Sequence, residues 1–306
     1  MSLDDATFAG APLGLAGSAP YPTEALRPWV GRAFFLPCDD PWVRGAGDRD
    51  HAYLDGARTS WSDHPEYMDF LDPDSPVYDL KRAEADLYLH HWGAHRDATT
   101  VLDVGCGVGR FATRFLDRGA TVYGVDPDLE SLRRLAWHAP DRPGRLDLSW
   151  SSAHHLPEVE VELALAVEVL CYVPDAEGAL AHLATRVRPG GTVLLSVESR
   201  WGWASSPDAP AGAIEAALQE EGVIDLPGDR WVRLYDEPRI RALIEGAGLE
   251  LVELIASHWI PDGPLEGCAP LDLSLEELVA LEERCRLHPI WGPMHRLWLV
   301  EARRPT

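Results

Sequence analysis

The sequence predicts an α/β fold with a doubly wound, seven-stranded and mostly parallel sheet, and three observations lead to this expectation. Residues 101–111 read VLDVGCGVGRF, in which an apolar stretch with an acidic residue breaks into three closely spaced glycines. Helical periodicity begins immediately afterwards, at Phe111. Further apolar segments then recur along the chain between segments with helical spacing. A strand, a tight glycine turn and a helix form the first unit of such a sheet, and the glycines let the backbone approach a ligand closely.

The remaining strands follow in order, and turn residues separate them. The second strand ends in Asp126, and the fourth leads into the sequence EVLCYVPD. An Arg-Pro-Gly-Gly turn precedes the fifth strand, and a helix with Pro238 in its first turn precedes the sixth. A further helix, at 79–92, comes before the first strand. The seven predicted strands are 99–104, 121–126, 146–150, 161–167, 192–197, the end of the segment 234–254, and 296–304.

Three segments extend this core. Residues 1–60 form an N-terminal arm that is rich in proline and glycine but also in aromatic residues, so we expect part of it to pack on the core. Residues 61–306 form the core domain, with insertions at about 199–235 and 257–295. Segments that follow parallel strands lie at the carboxyl edge of a sheet, where ligands bind. We therefore expect the N-terminal helices and the first insertion to form a lid, with an oligomer interface as the alternative.

Each insertion carries a predicted helix. In the first, Asp208 is the expected N-cap and Gly222 the expected end. In the second, Ser274 and Glu277 have the spacing of a capping box, and the helix is expected to end near His288.

Composition excludes several classes of partner. The chain has 306 residues and a formal net charge of −23, from 27 basic and 50 acidic residues. Nucleic acid and anionic membranes both need a basic face, so neither is an expected partner.

The five cysteines are scattered and lack a C-x-x-C pair, which indicates reduced thiols without a disulfide framework or a metal site. Asp4 and Asp5 stand where a signal peptide has basic residues, and no apolar run could span a membrane, so we expect a cytoplasmic protein.

The spacing of the glycines distinguishes between ligand classes. A dinucleotide fingerprint reads G-x-G-x-x-G, whereas here the third glycine comes one residue early and Arg110 takes the last place. No G-K-[ST] follows, which excludes a phosphate-binding P-loop. The G-x-G-x-G turn behind an acidic strand end resembles motif I of class I S-adenosylmethionine (SAM) methyltransferases. The order of strands and turns resembles the core of that family over roughly residues 78–254 and the last strand.

The resemblance implies a site for SAM, with S-adenosylhomocysteine as the product. The three glycines would line the methionine part, Asp103 would steady their turn, and Asp126 would hold the ribose. The run SSAHHLP resembles the family's G-D-A-x-x-L-P turn at the adenine, but Ser152 stands where the family has a carboxylate. The predicted cofactor-binding residues are Asp103, Gly105, Cys106, Gly107, Gly109, Asp126, Pro127, Ser152, Ala153 and Val167.

Catalysis itself requires few groups. Methyl transfer needs an acceptor held in line and shielded from water, and an oxygen or carbon acceptor also needs a general base. The predicted catalytic residues are Tyr172, Glu198 and His154, which follow three of the predicted strands. Glu168 and His155 are further candidates, although Glu168 could simply support the fourth strand. Twelve tryptophans, many of them in the added segments, suit a cationic or flat organic ligand.

The predicted function is N- or O-methylation of a small molecule in secondary metabolism, by a protein that could form a homodimer. An alternative keeps the fold and SAM but resembles azetidine-2-carboxylate synthases, in which the amine of SAM attacks its own γ-carbon and methylthioadenosine leaves. A third possibility is a non-catalytic SAM-binding protein. The glycine spacing disfavours a fourth, a Rossmann dehydrogenase that binds NAD.

Overall fold

The computed structural model describes strand 33–35 and residues 71–306, except for 72, 76, 140–141, 151, 174, 207–208, 221, 226–230 and 271. Within these residues, eight strands form one sheet in the order β1-β4-β3-β2-β5-β6-β10-β9, and β7 and β8 form a separate antiparallel hairpin. The strands are β1 Ala33–Phe35, β2 Thr100–Val104, β3 Thr121–Asp126, β4 Arg145–Trp150, β5 Val161–Val167, β6 Val187–Glu198, β7 Val223–Asp225, β8 Trp231–Arg233, β9 Glu250–Ser257 and β10 Leu297–Arg303.

Helices connect the strands and cover both faces of the sheet. They are α1 Tyr78–His91, α2 Ala112–Leu116, α3 Leu129–His138, α4 Ala176–Arg186, α5 Arg200–Ser205, α6 Ala213–Leu218, α7 Glu237–Gly246 and α8 Leu275–Arg286. No helix in this described part of the chain is long and apolar enough to cross a bilayer.

The predicted seven-stranded core is confirmed, and β3 and β5 have the bounds that the sequence predicted. β10 runs antiparallel between β6 and β9, whereas β2 to β6 pair in parallel. The additional strand β1 pairs in parallel with β4 at the edge of the sheet. Strand β1 belongs to the predicted arm 1–60, and the rest of that arm lies outside the described residues.

The sheet has an apolar core on each face because both faces of its central strands are buried. Alternate residues of β2 belong to different cores: Leu102 and Val104 pack with α4 and α7 residues, whereas Val101 packs with residues of α1, α2 and α3. This two-sided burial explains why the strands read as almost continuous apolar runs. The parallel pairing of β2 to β6 places the carboxyl ends of these strands at one edge of the sheet. Asp126 and Glu198 lie at this edge.

The first insertion differs from the prediction. It contains two short helices, α5 and α6, where the sequence predicted one. The N-cap of α6 is Gly212 and not Asp208, which lies outside the described residues. Gly212 has φ +89°, a left-handed conformation that a helix cannot include, so α6 begins only after it. α6 also ends at Leu218, before the predicted end at Gly222.

The second insertion follows its prediction closely. Ser274 and Glu277 form the capping box, with each side chain bonded to the backbone of the other residue. The helix they begin, α8, ends at Arg286, two residues before His288.

Candidate functional site

The glycine turn after β2 has the geometry that only glycine allows. Gly105, Gly107 and Gly109 all have positive φ, at +69°, +52° and +99°. A Cβ on Gly105 would collide with Val169, and one on Gly109 with Leu135. A Cβ on Gly107 would meet no atom within 4 Å, so the middle of the turn faces open space. The turn therefore combines a tightly packed base with an open cradle.

Asp126 ties this cradle to the end of β3. Its Oδ2 accepts a hydrogen bond from the backbone N–H of Gly107 at 2.8 Å, and its Oδ1 accepts one from the N–H of Asp128, also at 2.8 Å. Burial, together with the nearby carboxylate of Asp128, raises the pKa of Asp126 to about 7, although the two backbone N–H groups oppose the shift. Each carboxylate oxygen can accept a second hydrogen bond, so Asp126 can still bind hydroxyl groups of a ligand.

Asp103 supplies a second carboxyl group beside the same turn. It is buried, and its Oδ2 has no hydrogen-bond partner among the described residues. Burial and the neighbouring Asp126 raise the pKa of Asp103 to about 7, against the opposing influence of Arg110. A buried acceptor without a donor is costly, and a cationic or N–H-bearing ligand would remove that cost.

The other predicted cofactor residues occupy the same edge of the sheet. Val167 ends β5 and is buried, and Cys106 packs against Gly124 of β3. Burial raises the pKa of the Cys106 thiol well above its usual value, which keeps it protonated. Ser152 and Ala153 follow β4 and are buried, and Pro127 follows Asp126.

The loop after β4 is held by α4. The backbone N–H of His154 donates to Ser152 Oγ at 3.3 Å, and the carbonyl of His154 lies 2.9 Å from His182 Nδ1. Arg186 donates to His182 Nε2 at 2.9 Å, so the proton of the neutral His182 ring is on Nδ1 and bonds to the His154 carbonyl. His154 thus lies in this anchored loop.

The other two predicted catalytic residues meet at the ends of β5 and β6. Tyr172 Oη donates to Glu198 Oε1 at 3.1 Å, and both residues are buried. Glu198 also forms an ion pair with Arg296, whose guanidinium lies 4.6 Å from the centre of the Trp203 ring. The sequence analysis missed Arg296, because nothing in the local sequence before β10 links it to a strand end 98 positions earlier.

A buried charged cluster next to the glycine turn was predicted only through one of its members, the candidate Glu168. We call it the Arg110 cluster, and it consists of Lys81, Glu84, Tyr88, Arg110 and Glu168. Arg110 donates to Glu84 Oε2 at 3.0 Å and to Glu168 Oε1 at 2.7 Å, and Lys81 donates to Glu84 Oε1 at 2.7 Å. Tyr88 Oη also donates to Glu168 Oε1, at 3.0 Å. Burial alone would raise the pKa of Glu168, but Arg110 and Lys81 lower it to about 2. The sequence signals were Glu168 after the fourth predicted strand and Arg110 in the place of the last fingerprint glycine.

Backbone strain is concentrated around this cluster. Within the described residues, positive φ at non-glycine positions occurs at Glu168 (+56°), His258 (+64°) and Asp262 (+53°). The ring of His258 lies 4.7 Å from that of Tyr88, and Asp262 Oδ2 lies 3.8 Å from Lys81 Nζ. Such strain persists only where surrounding contacts impose it, and it is typical of functional sites.

Comparison with known proteins gives a consistent result. Residues 78–254, more than half of the chain, match the methyltransferase-domain family. A ubiquinone biosynthesis O-methyltransferase from Bradyrhizobium sp. (strain ORS 278) is 32% identical over 114 residues, which cover 37% of this chain and 45% of that protein. Its counterpart from Burkholderia ambifaria (strain MC40-6) is 26% identical over 215 residues, covering 69% and 86%. The chain spans 45% of the length of the Bradyrhizobium protein and 65% of the length of a third counterpart, from Alkalilimnicola ehrlichii. Both shares are less than two thirds.

Solved structures are similar at the level of the fold. The 1,6-didemethyltoxoflavin-N1-methyltransferase of Burkholderia thailandensis superposes with a TM-score of 0.51 at 20% identity, over 85% of this chain and 92% of that one. Magnesium protoporphyrin IX methyltransferase from Synechocystis PCC 6803, solved with bound S-adenosylhomocysteine, superposes with a TM-score of 0.55 at 15% identity, over 84% and 100%.

Proposed function

Because the chain belongs to the methyltransferase-domain family, whose class I fold uses SAM, we propose that it transfers the methyl group of SAM to a small-molecule acceptor. The observation that carries this proposal is the glycine turn, which is open at Gly107 and flanked by the buried carboxyl groups of Asp103 and Asp126. An open cradle beside a carboxyl oxygen without a donor suits the amino-acid part of SAM, and Asp126 suits its ribose.

The donor set of the site fits the cofactor. When bound, SAM supplies a methyl group on a positively charged sulfur, which makes the methyl group transferable without further activation. The protein's task is therefore to bind, orient and exclude water. Asp103 and the glycine turn would hold the amino-acid part, Asp126 the ribose, and Ser152 with Ala153 the adenine edge.

Tyr172 is the proposed acceptor-facing residue, and Glu198 is proposed to position it. The Glu198 carboxylate bonds to Tyr172 and pairs with Arg296, so its interactions fix the tyrosine hydroxyl rather than leave the carboxylate available as a base. Tyr172 lies in the turn after β5, where its backbone N–H donates to the carbonyl of Val169, the residue that a Cβ on Gly105 would meet. His154 remains a predicted third residue, in the loop after β4. The insertions at 199–235 and 257–295 are proposed to wall the acceptor site.

The reaction is tested by incubating the purified protein with SAM alone and separating the products by mass spectrometry. Intact SAM supports the proposal, because methyl transfer requires an acceptor, and the protein is then screened with phenols and amines. Formation of methylthioadenosine and a cyclic amino acid would instead favour the cyclase alternative. Saturable SAM binding without turnover of any acceptor would favour a non-catalytic SAM-binding protein.

Replacing Asp126 with alanine is expected to weaken SAM binding by about 1–3 kcal/mol, or roughly 5- to 150-fold. The change leaves the ribose hydroxyls and the Gly107 N–H without their acceptor. Calorimetric titration measures the effect, and the exposed Asp97→Ala variant is the control. An Asp126→Ala protein that binds SAM like the wild type would contradict the proposed role of this carboxylate.

SAM affinity is also expected to rise with pH. Asp103 and Asp126 both have a pKa of about 7, so each carries a proton part of the time near neutrality. The ammonium group of SAM favours an ionised Asp103, and ribose hydroxyls that donate hydrogen bonds favour an ionised Asp126, so binding lowers both pKa values and releases protons. Titrations near pH 7 in phosphate and Tris buffers, which differ in ionisation enthalpy, measure this release. We expect Asp103→Asn to reduce it, and an affinity that stays constant between about pH 6 and pH 8 would contradict the linkage.

A further inference from the structure

A second cavity lies outside the glycine turn. It is a cleft of about 510 Å³ between α5, the two residues that precede α7, the end of α8 and the segment 287–295, with one residue each of β9 and β10. Ligand sites for small molecules typically enclose about 300–1,000 Å³, so the cleft has the size of a site for one such molecule.

The lining of this cleft is mostly apolar. Trp201, Tyr235 and Trp298 are its aromatic members, and Pro289 and Pro293 also belong to it. Trp201 is 43% exposed and Leu287, also in the lining, is 67% exposed. Large apolar side chains that stay exposed around a concave surface indicate a binding site. Aromatic and proline walls of this kind favour a planar ligand.

The formal charge of the lining is positive, in a chain with a net charge of −23. Arg200, Asp236 and Arg286 are its charged members, and the first two form an ion pair at 3.2 Å. Arg286 bonds through Nε and Nη2 to Glu283, which does not line the cleft, and no bond to another described residue engages its Nη1. Nη1 of this lining residue thus remains able to donate to an anion.

His288 supplies a second donor. Its Nδ1 accepts hydrogen bonds from the backbone N–H groups of Ile290 and Trp291, both at 3.3 Å. The neutral ring therefore carries its proton on Nε2, which has no partner among the described residues. Arg286, the last residue of α8, and His288, two positions later, both line the cleft.

We propose that this cleft is a binding site for a planar aromatic anion, such as a fused-ring carboxylate. The aromatic and proline walls would enclose the rings, and Arg286 and His288 would bind the carboxylate. The site is separate from the glycine turn and does not depend on methyl transfer. It borders the proposed catalytic residues, because Ser199 and His295 in its wall are the chain neighbours of Glu198 and Arg296 and bond to each other.

The test is a calorimetric titration of the full chain with naphthalene-2-carboxylate and with the neutral naphthalene-2-carboxamide. We expect saturable binding of the acid, with a Kd on the order of 100 μM for a ligand of this size, and at least fivefold weaker binding of the amide. Trp201→Ala should weaken both by about fivefold or more, because it removes one wall. Arg286→Gln should weaken only the acid, so that the two ligands bind nearly alike.

The control is Arg241→Gln, which breaks a similar exposed arginine–glutamate pair on α7 outside the cleft and should change neither Kd. Trp201 and Arg286 are 43% and 45% exposed, and thermal unfolding verifies that each variant is folded. Absence of saturable binding, equal affinity for acid and amide, or binding that survives Trp201→Ala would each overturn the proposal. Because SAM binding is titrated separately, these results do not depend on the outcome at the cofactor site.

Discussion

Replacing Arg110 with methionine is expected to lower the free energy of unfolding by about 3–5 kcal/mol. The Arg110 guanidinium and the Lys81 ammonium together balance the charges of Glu84 and Glu168. Removing Arg110 leaves two buried carboxylates with one cation, and Tyr88 remains as a hydrogen-bond donor to Glu168. Methionine has a similar length and fills most of the space, so the loss reports the missing charge rather than a cavity. Urea denaturation followed by circular dichroism measures the effect.

The loss should depend on pH in a defined direction. In the wild type, the lowered pKa of Glu168, about 2, contributes stability that is present above its unfolded pKa of about 4.3 and is lost as the pH falls towards 2. The difference in unfolding free energy between wild type and Arg110→Met should therefore be largest above about pH 5 and shrink below it.

Arg110→Lys, which keeps the charge but not the bidentate geometry, should show an intermediate loss of stability. The control is Arg114→Met, whose side chain is 36% exposed and pairs with Asp86 at 3.4 Å, and which should cost less than about 1 kcal/mol. An Arg110→Met protein as stable as this control would refute the importance of the cluster.

Replacing Glu282 with alanine is expected to have a destabilising effect of similar size, about 3–5 kcal/mol. This buried carboxyl group on α8 accepts hydrogen bonds from three successive backbone N–H groups, those of His258, Trp259 and Ile260, at 2.9–3.0 Å. They follow the end of β9, where His258 has positive φ. Without Glu282, three buried donors lose their acceptor at once, and the strained turn loses its support.

The adjacent residue provides the control for this prediction. Glu283 is also on α8, but its side chain is 49% exposed and pairs with Arg286. Glu283→Ala removes the same number of atoms and should cost less than about 1 kcal/mol, because exposed ion pairs contribute little. Hydrogen exchange at residues 258–260 offers a second measurement, since protection there should fall in Glu282→Ala and not in Glu283→Ala. Equal stability of the two variants would show that the turn does not depend on the carboxyl group.

These two residues illustrate how the cofactor edge of the sheet is held. Arg110 joins the glycine turn to α1 and to the end of β5, and Glu282 joins the second insertion to the end of β9. The two systems meet at His258, which packs against Tyr88 of the Arg110 cluster. Burial lowers the pKa of His258 to about 3, so its ring is neutral at physiological pH and adds no charge to the cluster. The strained backbone around the proposed site thus rests on partners from distant segments.

The sequence by itself determined the features that arise from neighbouring residues. Strands β3 and β5, the glycine turn with its positive φ values, and the capping box of α8 were all predictable. Each depends on side-chain periodicity, backbone sterics or hydrogen bonds that reach only a few residues along the chain. The position of Asp126 beside the glycine turn was also predictable, because the fold places the end of the second strand there.

Only the tertiary structure decided which charged groups meet. Arg110 reaches Glu84 and Glu168 across 26 and 58 positions, and Arg296 pairs with the end of β6 across almost 100. The cleft likewise forms from five separate stretches of the chain that share no local pattern. The physical reason is that a buried ion pair or cavity depends on distances in space, and the packing of the helices and insertions on the sheet sets those distances. Local sequence determines where each strand ends, whereas packing determines what lies opposite that end.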